Sequence, residues 1–202
     1  MNRKKLADVL ILAGITILVL NFAAPLFYEA KFQINSFSGK RYQVVDDIGS
    51  KGELIIPESL DFGIVIPKIA ANAKIFPNVN PFDEKEFLPI LRRGVAHAKG
   101  TSFPGLGKNI YLFAHSTDAF YNAGRYNAVF YLIGKLNDKD EIDIFYKNKL
   151  FRYSVFEKKV VAPGEINYLE PQEEEILTLQ TCYPPGTTLR RLVVRAKLQD
   201  GR

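Results

Sequence analysis

Cys182 is the only cysteine in a chain of 202 residues. It ends the run Thr178, Leu179, Gln180, Thr181, Cys182 and stands just before the turn Tyr183, Pro184, Pro185, Gly186. Arg191 follows nine residues after the cysteine. A thiolate is a strong nucleophile, and a fixed positive charge beside it favours the thiolate form. A guanidinium also has the planar donors needed to hold the oxyanion of a tetrahedral intermediate. With a histidine to move protons, such a set supports acyl transfer through a thioester. The chain offers two histidines, His97 and His115.

Strand geometry says how these groups could meet. Successive side chains of a strand point to opposite faces, so Thr178, Gln180 and Cys182 share one face while Leu177, Leu179 and Thr181 share the other. In the next run Arg191, Val193, Arg195 and Lys197 share a face, opposite Leu192, Val194, Ala196 and Leu198. The intervening Pro-Pro-Gly forces a turn, which brings an arginine back beside the cysteine. Spacing alone leaves Arg190 and Arg191 both open, and either also reads as a solvated strand arginine. His115 comes directly off the apolar run 110–114, at a sheet end where loops build sites. His97 lies in Arg93, Gly94, Val95, Ala96, His97, Ala98, ahead of a loop containing Gly and Pro. Each histidine alone is equally a packed or surface residue, and a lone cysteine is often a small buried hydrophobe.

The elements around these residues are mostly short β-type runs broken by Pro, Gly and Asn. They fall at 62–66, 73–76, 109–114, 141–146, 150–156, 176–182 and 189–198. The pair 141–146 and 150–156, joined by Lys147 and Asn148, carries a hairpin signature. Short helices are expected at 83–91 and around 128–132. Regularly spaced strands with few helices imply a closed or nearly closed antiparallel barrel, an all-β fold. Residues 28–61 read as a polar linker or stalk, with a weakly amphipathic helix expected at 42–48.

The N-terminus has a different character. Residues 9–27 carry no charge and include only Gly14, Thr16, Asn21 and Pro25 as non-apolar members. At ~1.5 Å per residue such a helix approaches the ~30 Å hydrocarbon core of a bilayer. Arg3, Lys4 and Lys5 precede it and favour a cytoplasmic N-terminus, with the rest outside the cell. The expectation is a single-pass transmembrane anchor over 1–27, a linker over 28–61 and a catalytic domain over 62–202. A cleaved signal peptide is the rival, disfavoured because Pro25 follows Ala23 and Ala24. The formal net charge is +5, part of it in that N-terminal cluster. No basic run interleaved with aromatics points to nucleic acid. One cysteine excludes an internal disulfide.

At these residues the chain resembles the sortases, membrane-anchored cysteine transpeptidases of bacterial surfaces. The family's Thr-Leu-x-Thr-Cys is matched by Thr178 to Cys182. Its Arg-x-hydrophobic-hydrophobic strand opening is matched by Arg191, Leu192, Val193 and Val194, which favours Arg191 over Arg190. The family histidine, usually in Gly-His, is Ala114-His115 here. Ile66, Pro67, Lys68 and Ile69 resemble the opening strand of the domain. Gly94 to His97, Gly100-Thr101 and Pro104-Gly105 resemble the stretch before the histidine strand.

The resemblance covers about 62–198 and implies an eight-stranded sortase-type β-barrel with short helices. It also implies that Cys182 attacks the Thr–Gly carbonyl of a Leu-Pro-x-Thr-Gly-like sorting signal on a surface protein. His115 then moves protons and Arg191 holds substrate and oxyanion. Thr181 is a helper through its hydroxyl or backbone N–H, and His97 takes a structural or groove-lining role. The acceptor is an amine on a cell-wall precursor or another protein. No cofactor is required. Some relatives use calcium, and Asp83, Glu84 and Glu86 could bind it, although solvated surface charge explains them too.

No Asp-Pro-aromatic lid motif precedes the barrel and no second apolar segment follows it, which favours a housekeeping or single-protein-anchoring enzyme. Two other classes compete. One is another cysteine acyl-transfer enzyme, such as an L,D-transpeptidase or a hydrolytic protease. The Ser-x-Gly-Cys and papain-type contexts these expect are absent. The other is a non-catalytic, membrane-tethered β-domain that binds peptide or wall polymer.

Overall fold

The computed structural model describes residues 3–37, 42–44, 53–116 and 129–199. A long helix, α1, runs over Arg3–Phe37. Two short strands follow, β1 at Tyr42–Val44 and β2 at Glu53–Ile55, paired in parallel. The barrel is built from β3 (Phe62–Ile66), β4 (Ala71–Val79), β5 (Val95–Ala98) and β6 (Ile110–Phe113). It is completed by β7 (Glu141–Tyr146), β8 (Lys149–Val161), β9 (Ile176–Tyr183) and β10 (Arg190–Leu198). Helix α2 (Glu84–Leu91) lies between β4 and β5. Around the closed barrel the order is β10, β8, β7, β3, β4, β5, β6, β9.

Alternating side chains explain the closure. Ile64, Ile66, Ile75, Ile110, Leu112, Ile142, Ile144, Leu177, Leu179 and Val194 have no solvent exposure and pack into one interior cluster. A second apolar layer forms on the outside of the sheet, where Phe87, Ile90 and Leu91 of α2 cover Ala96, Ala98, Tyr111 and Phe113. Asp83 caps α2 by accepting the Lys85 N–H at 3.0 Å. Gly94 lets the chain pass close to β4: a Cβ there would stand 2.4 Å from the Lys74 carbonyl oxygen.

Three sequence expectations are corrected. The barrel is not purely antiparallel, because β4 pairs with β5 and β6 pairs with β9 in parallel. A parallel partner needs a crossover, and α2 supplies the one between β4 and β5. Strand β5 itself was not expected. Residues 42–44 are strand rather than helix, and the rest of 42–48 lies outside the described residues.

Residues 9–27 carry the expected anchor. This stretch is helical, as part of α1, but α1 continues through the charged turn Glu29 to Lys31 as far as Phe37. Among the described residues no helix is long and apolar enough to cross a membrane. The helix expected around 128–132 begins in the described part as a turn at 129–132 and ends in a 3₁₀ turn at Ile133–Lys135.

Candidate active site

Strands β9 and β10 set the centre of the site. Their antiparallel register places Arg191 directly opposite Cys182, Val193 opposite Gln180 and Arg195 opposite Thr178. Directly opposed residues point to the same face. The open choice between the two arginines is thereby resolved for position, since Arg190 faces Tyr183 instead. Arg191 is held by its own turn: Nη1 donates to the Thr188 and Arg190 carbonyls, each at 3.1 Å. Cys182 is a free, half-buried thiol.

Strand β6 brings the histidine from the other side. Its parallel register with β9 pairs Tyr111 with Thr178 and Phe113 with Gln180. The two chains stay together past the end of β6. The Ala114 N–H donates to the Gln180 carbonyl at 3.2 Å, and Thr181 Oγ1 donates to the Ala114 carbonyl at 2.9 Å. His115 is the next residue, and the same register carries it to the level of Cys182. It is half-buried. Arginine, cysteine and histidine therefore come from β10, β9 and the end of β6, three neighbours in the barrel. The Thr181 hydroxyl is committed to holding β6 against β9, so its contribution is to position His115 rather than to touch a substrate through Oγ1.

Sequence reasoning left His97 with a groove-lining or structural role, and the first of these is corrected. The ring is completely buried. Its centroid lies 4.5 Å from that of Phe103 and 5.7 Å from that of Phe62. Nδ1 accepts the Asn78 N–H at 3.2 Å, and Nε2 lies 2.8 Å from the Ser102 carbonyl and 3.0 Å from Thr101 Oγ1. With Nδ1 accepting, Nε2 carries the proton and donates to Ser102. Burial pushes the His97 pKa down, against a smaller opposing effect of the Ser102 carbonyl. Both nitrogens are used inside the barrel wall, which leaves nothing to offer a ligand.

Two supports had no sequence signal. Asn109 receives the Thr178 hydroxyl proton at Oδ1 (2.8 Å) and donates its amide to the Tyr168 carbonyl at 2.7 Å. It thus ties β9 to the β8–β9 connection, where Tyr168 and Leu169 pack on the outer apolar layer. Glu175 gathers the 104–107 loop, accepting the N–H groups of Gly105 and Gly107 and the Tyr153 hydroxyl at 2.6 Å. Gly105 has φ +82°, a left-handed conformation that favours glycine.

A cleft of roughly 260 Å³ opens beside the thiol. Thr181, Cys182, Leu192, Tyr131 and Lys135 are among its lining residues. Glu29 of α1 also lines it. Lys135 Nζ lies 2.6 Å from Glu29 Oε1 and 5.7 Å from the centroid of Phe32, which packs against the barrel core. The far end of α1 is therefore part of the wall next to Cys182, which the sequence did not indicate.

Asp83, Glu84 and Glu86, considered for calcium, do other work where bonds are seen: Asp83 caps α2 and Glu86 accepts the Asn80 N–H at 2.9 Å. Among the described residues no group of three His, Cys, Asp or Glu side chains could hold a metal ion.

A barrel with this connectivity and a Cys–Arg pair at the end of two neighbouring strands defines a class, and comparison with known proteins gives the same class. A profile of the sortase domain matches residues 64–199. The chain belongs to the sortase family. Sortase D of Bacillus subtilis (strain 168) is 27% identical over 136 residues, which is 65% of this chain and 60% of that protein. The match therefore spans less than two thirds of that relative's length. Among solved structures, the lid mutant of sortase A from Corynebacterium diphtheriae is similar with a TM-score of 0.59 and 27% identity. The likeness covers 71% of this chain and 72% of that one. A Clostridium perfringens sortase D5 transpeptidase gives a TM-score of 0.56 and 28% identity, over 69% and 79% of the two chains.

Proposed function

We propose that this chain is a cysteine transpeptidase of the cell surface that cleaves a Leu-Pro-x-Thr-Gly-like sorting signal between Thr and Gly. It would pass the new acyl end to an amine and so anchor surface proteins. The observation that carries the reading is the register that sets Arg191 across from Cys182, with His115 arriving on the adjacent parallel strand. Family membership supports the transpeptidase class, and the Thr-Leu-x-Thr-Cys motif supports the choice of nucleophile. No cofactor is needed for the chemistry.

The steps follow from the groups present. The Cys182 thiol gives its proton to His115, and the sulfur lone pair forms a C–S bond to the threonine carbonyl carbon. The carbonyl oxygen takes up negative charge, which Arg191 stabilises. When the tetrahedral species collapses, the C–N bond breaks and His115 gives its proton to the departing glycine nitrogen. An incoming amine then reverses the sequence: it loses a proton to His115, attacks the thioester carbon and releases the Cys182 sulfur. The product is a new amide.

The test is a panel of Leu-Pro-x-Thr-Gly-type peptides with an added amine, read by mass spectrometry. The wild type should give a thioester adduct on Cys182 and an amine-transfer product. The variant Cys182→Ala should give neither. Turnover that survives in this variant rejects the reading. Purely hydrolytic product in the presence of abundant amine favours a protease instead.

A further inference from the structure

The cleft beside Cys182 has a charged wall that the chemistry above leaves unused. Glu29 and Lys135 both line it and are bonded to each other at 2.6 Å, 34% and 39% exposed. The Lys135 bond is the main reason the Glu29 carboxyl sits below its ordinary pKa, and Gln33 adds to it by donating at 3.0 Å. Both described bonds fall on the same oxygen, Oε1. The second oxygen of a carboxylate can accept further donors, and an ammonium has three N–H groups of which Glu29 uses one. The pair thus offers both an anion and a cation to whatever enters next to the thiol.

We propose that this cleft docks the second substrate, and that it selects an acceptor bearing a carboxylate next to its reacting ammonium: an amino acid, or the amino-acid end of a larger polymer. The proposal rests on the transpeptidase reading. A purely cationic amine is drawn to Glu29 but repelled by Lys135, and a purely anionic molecule meets the reverse. A zwitterion satisfies both and forms an alternating four-charge array, with little net charge to strip of water. Size fits as well. Liquid water takes about 30 Å³ per molecule, so 260 Å³ admits the end of an amino acid but no folded partner.

The chemistry balances. Glu29 receives the acceptor as R–NH3⁺. One proton passes to His115, and the freed lone pair forms the C–N bond at the thioester carbon. The C–S bond breaks, its electron pair goes to sulfur, and the second nitrogen proton ends on the Cys182 thiolate. Lys135 meanwhile holds the acceptor carboxylate away from the developing oxyanion.

The test compares glycine with glycinamide as acceptors for the full-length chain, using a peptide that loads Cys182 as a thioester. The readouts are the acceptor KM and the ratio of transferred to hydrolysed product. That ratio does not move if only acylation is slowed. Glycinamide is the more easily deprotonated amine, so chemistry without recognition favours it. The expected result is a KM about tenfold lower for glycine. Lys135→Met should bring the two acceptors to parity and Lys135→Arg should restore the preference. Glu29→Gln should raise KM for both.

Equal KM values in the wild type overturn the proposal. So does a glycine preference that survives Lys135→Met. Equal damage to both acceptors by Glu29→Gln and Lys135→Met also overturns it, since that pattern belongs to a mere latch for α1. Failure of every peptide to form a thioester instead removes the transpeptidase reading itself, and the proposal with it.

Discussion

Arg191 stands directly across the β9–β10 ladder from Cys182, on the same face of the sheet. Its guanidinium is fixed by two carbonyls of its own turn, Thr188 and Arg190. The charge is therefore in place before any substrate arrives. Such preorganisation is what makes a charge effective in a transition state, because no reorganisation is left to be done when the oxyanion forms.

Replacing Arg191 by Lys keeps the charge but loses the planar donor set, of which Nη1 holds the two carbonyls and the other N–H groups would serve the proposed oxyanion. The expected outcome is a fall in kcat/KM for thioester formation of about 10²–10³, the scale seen when one oxyanion donor is lost. Arg190→Lys faces Tyr183 and should stay within about threefold. Rapid-quench measurement of the acyl-enzyme distinguishes them, and equal losses would remove the assignment of the oxyanion role to Arg191.

Thr181 works through a bond to the strand that carries His115. Thr181→Val removes the hydroxyl that donates to the Ala114 carbonyl and leaves a buried acceptor unmet, at a cost of about 1–3 kcal/mol. Thr181→Ser keeps the donor. The expected outcome is reduced kcat with an altered pH–rate profile in Thr181→Val, because the proton carrier is displaced, and near-normal behaviour in Thr181→Ser. A Thr181→Val enzyme with lowered thermal stability but an unchanged pH profile would make this contact structural only.

The two histidines should separate cleanly. His115→Ala is expected to cost about 10²–10⁴ in rate, the range of general acid–base catalysis, with little change in stability. His97→Asn is expected to lower stability and to change its pH dependence. Burial depresses the folded pKa of His97, so below the ordinary value of 6.5 the unfolded chain binds more protons than the folded one. Stability is then fully present above pH 6.5 and falls as pH drops toward the folded pKa. Urea unfolding across pH 5 to 8 should show this slope in the wild type, reduced in His97→Asn. An identical slope in both proteins would assign the pH dependence to other groups.

Local pattern made much of this legible. Strands β7, β9 and β10 follow from alternation and turn residues, and β3 from a short apolar run stopped by Pro67, because a two-residue period, a Pro-Pro-Gly corner and a strand-ending proline are written in adjacent positions. Cys182 and Arg191 were visible for the same reason, as hairpin neighbours. Strand β5 escaped because Val95, Ala96, His97 and Ala98 hold one β-branched residue among four and, being all buried, show no alternation either. Those apolar flanks were the signal that could have placed His97 in the wall rather than the groove. The parallel β6–β9 contact depends on closing the barrel across nearly the whole domain, and no short window of sequence contains it. Glu29 was the least legible of all. It meets Lys135 across 106 positions, and nothing about one carboxylate near the end of an apolar helix announces that partner.

The parallel pairing of β6 with β9 has a consequence for how the protein is made. The thiol and the guanidinium belong to the final two strands of the barrel, whereas the imidazole emerges much earlier and waits for them. A partly synthesised domain thus holds a histidine with no sulfur to act on. Under the proposed chemistry, reactivity would switch on only when the closing ribbon is laid down, so the growing polypeptide would stay chemically silent until the shell around it is complete.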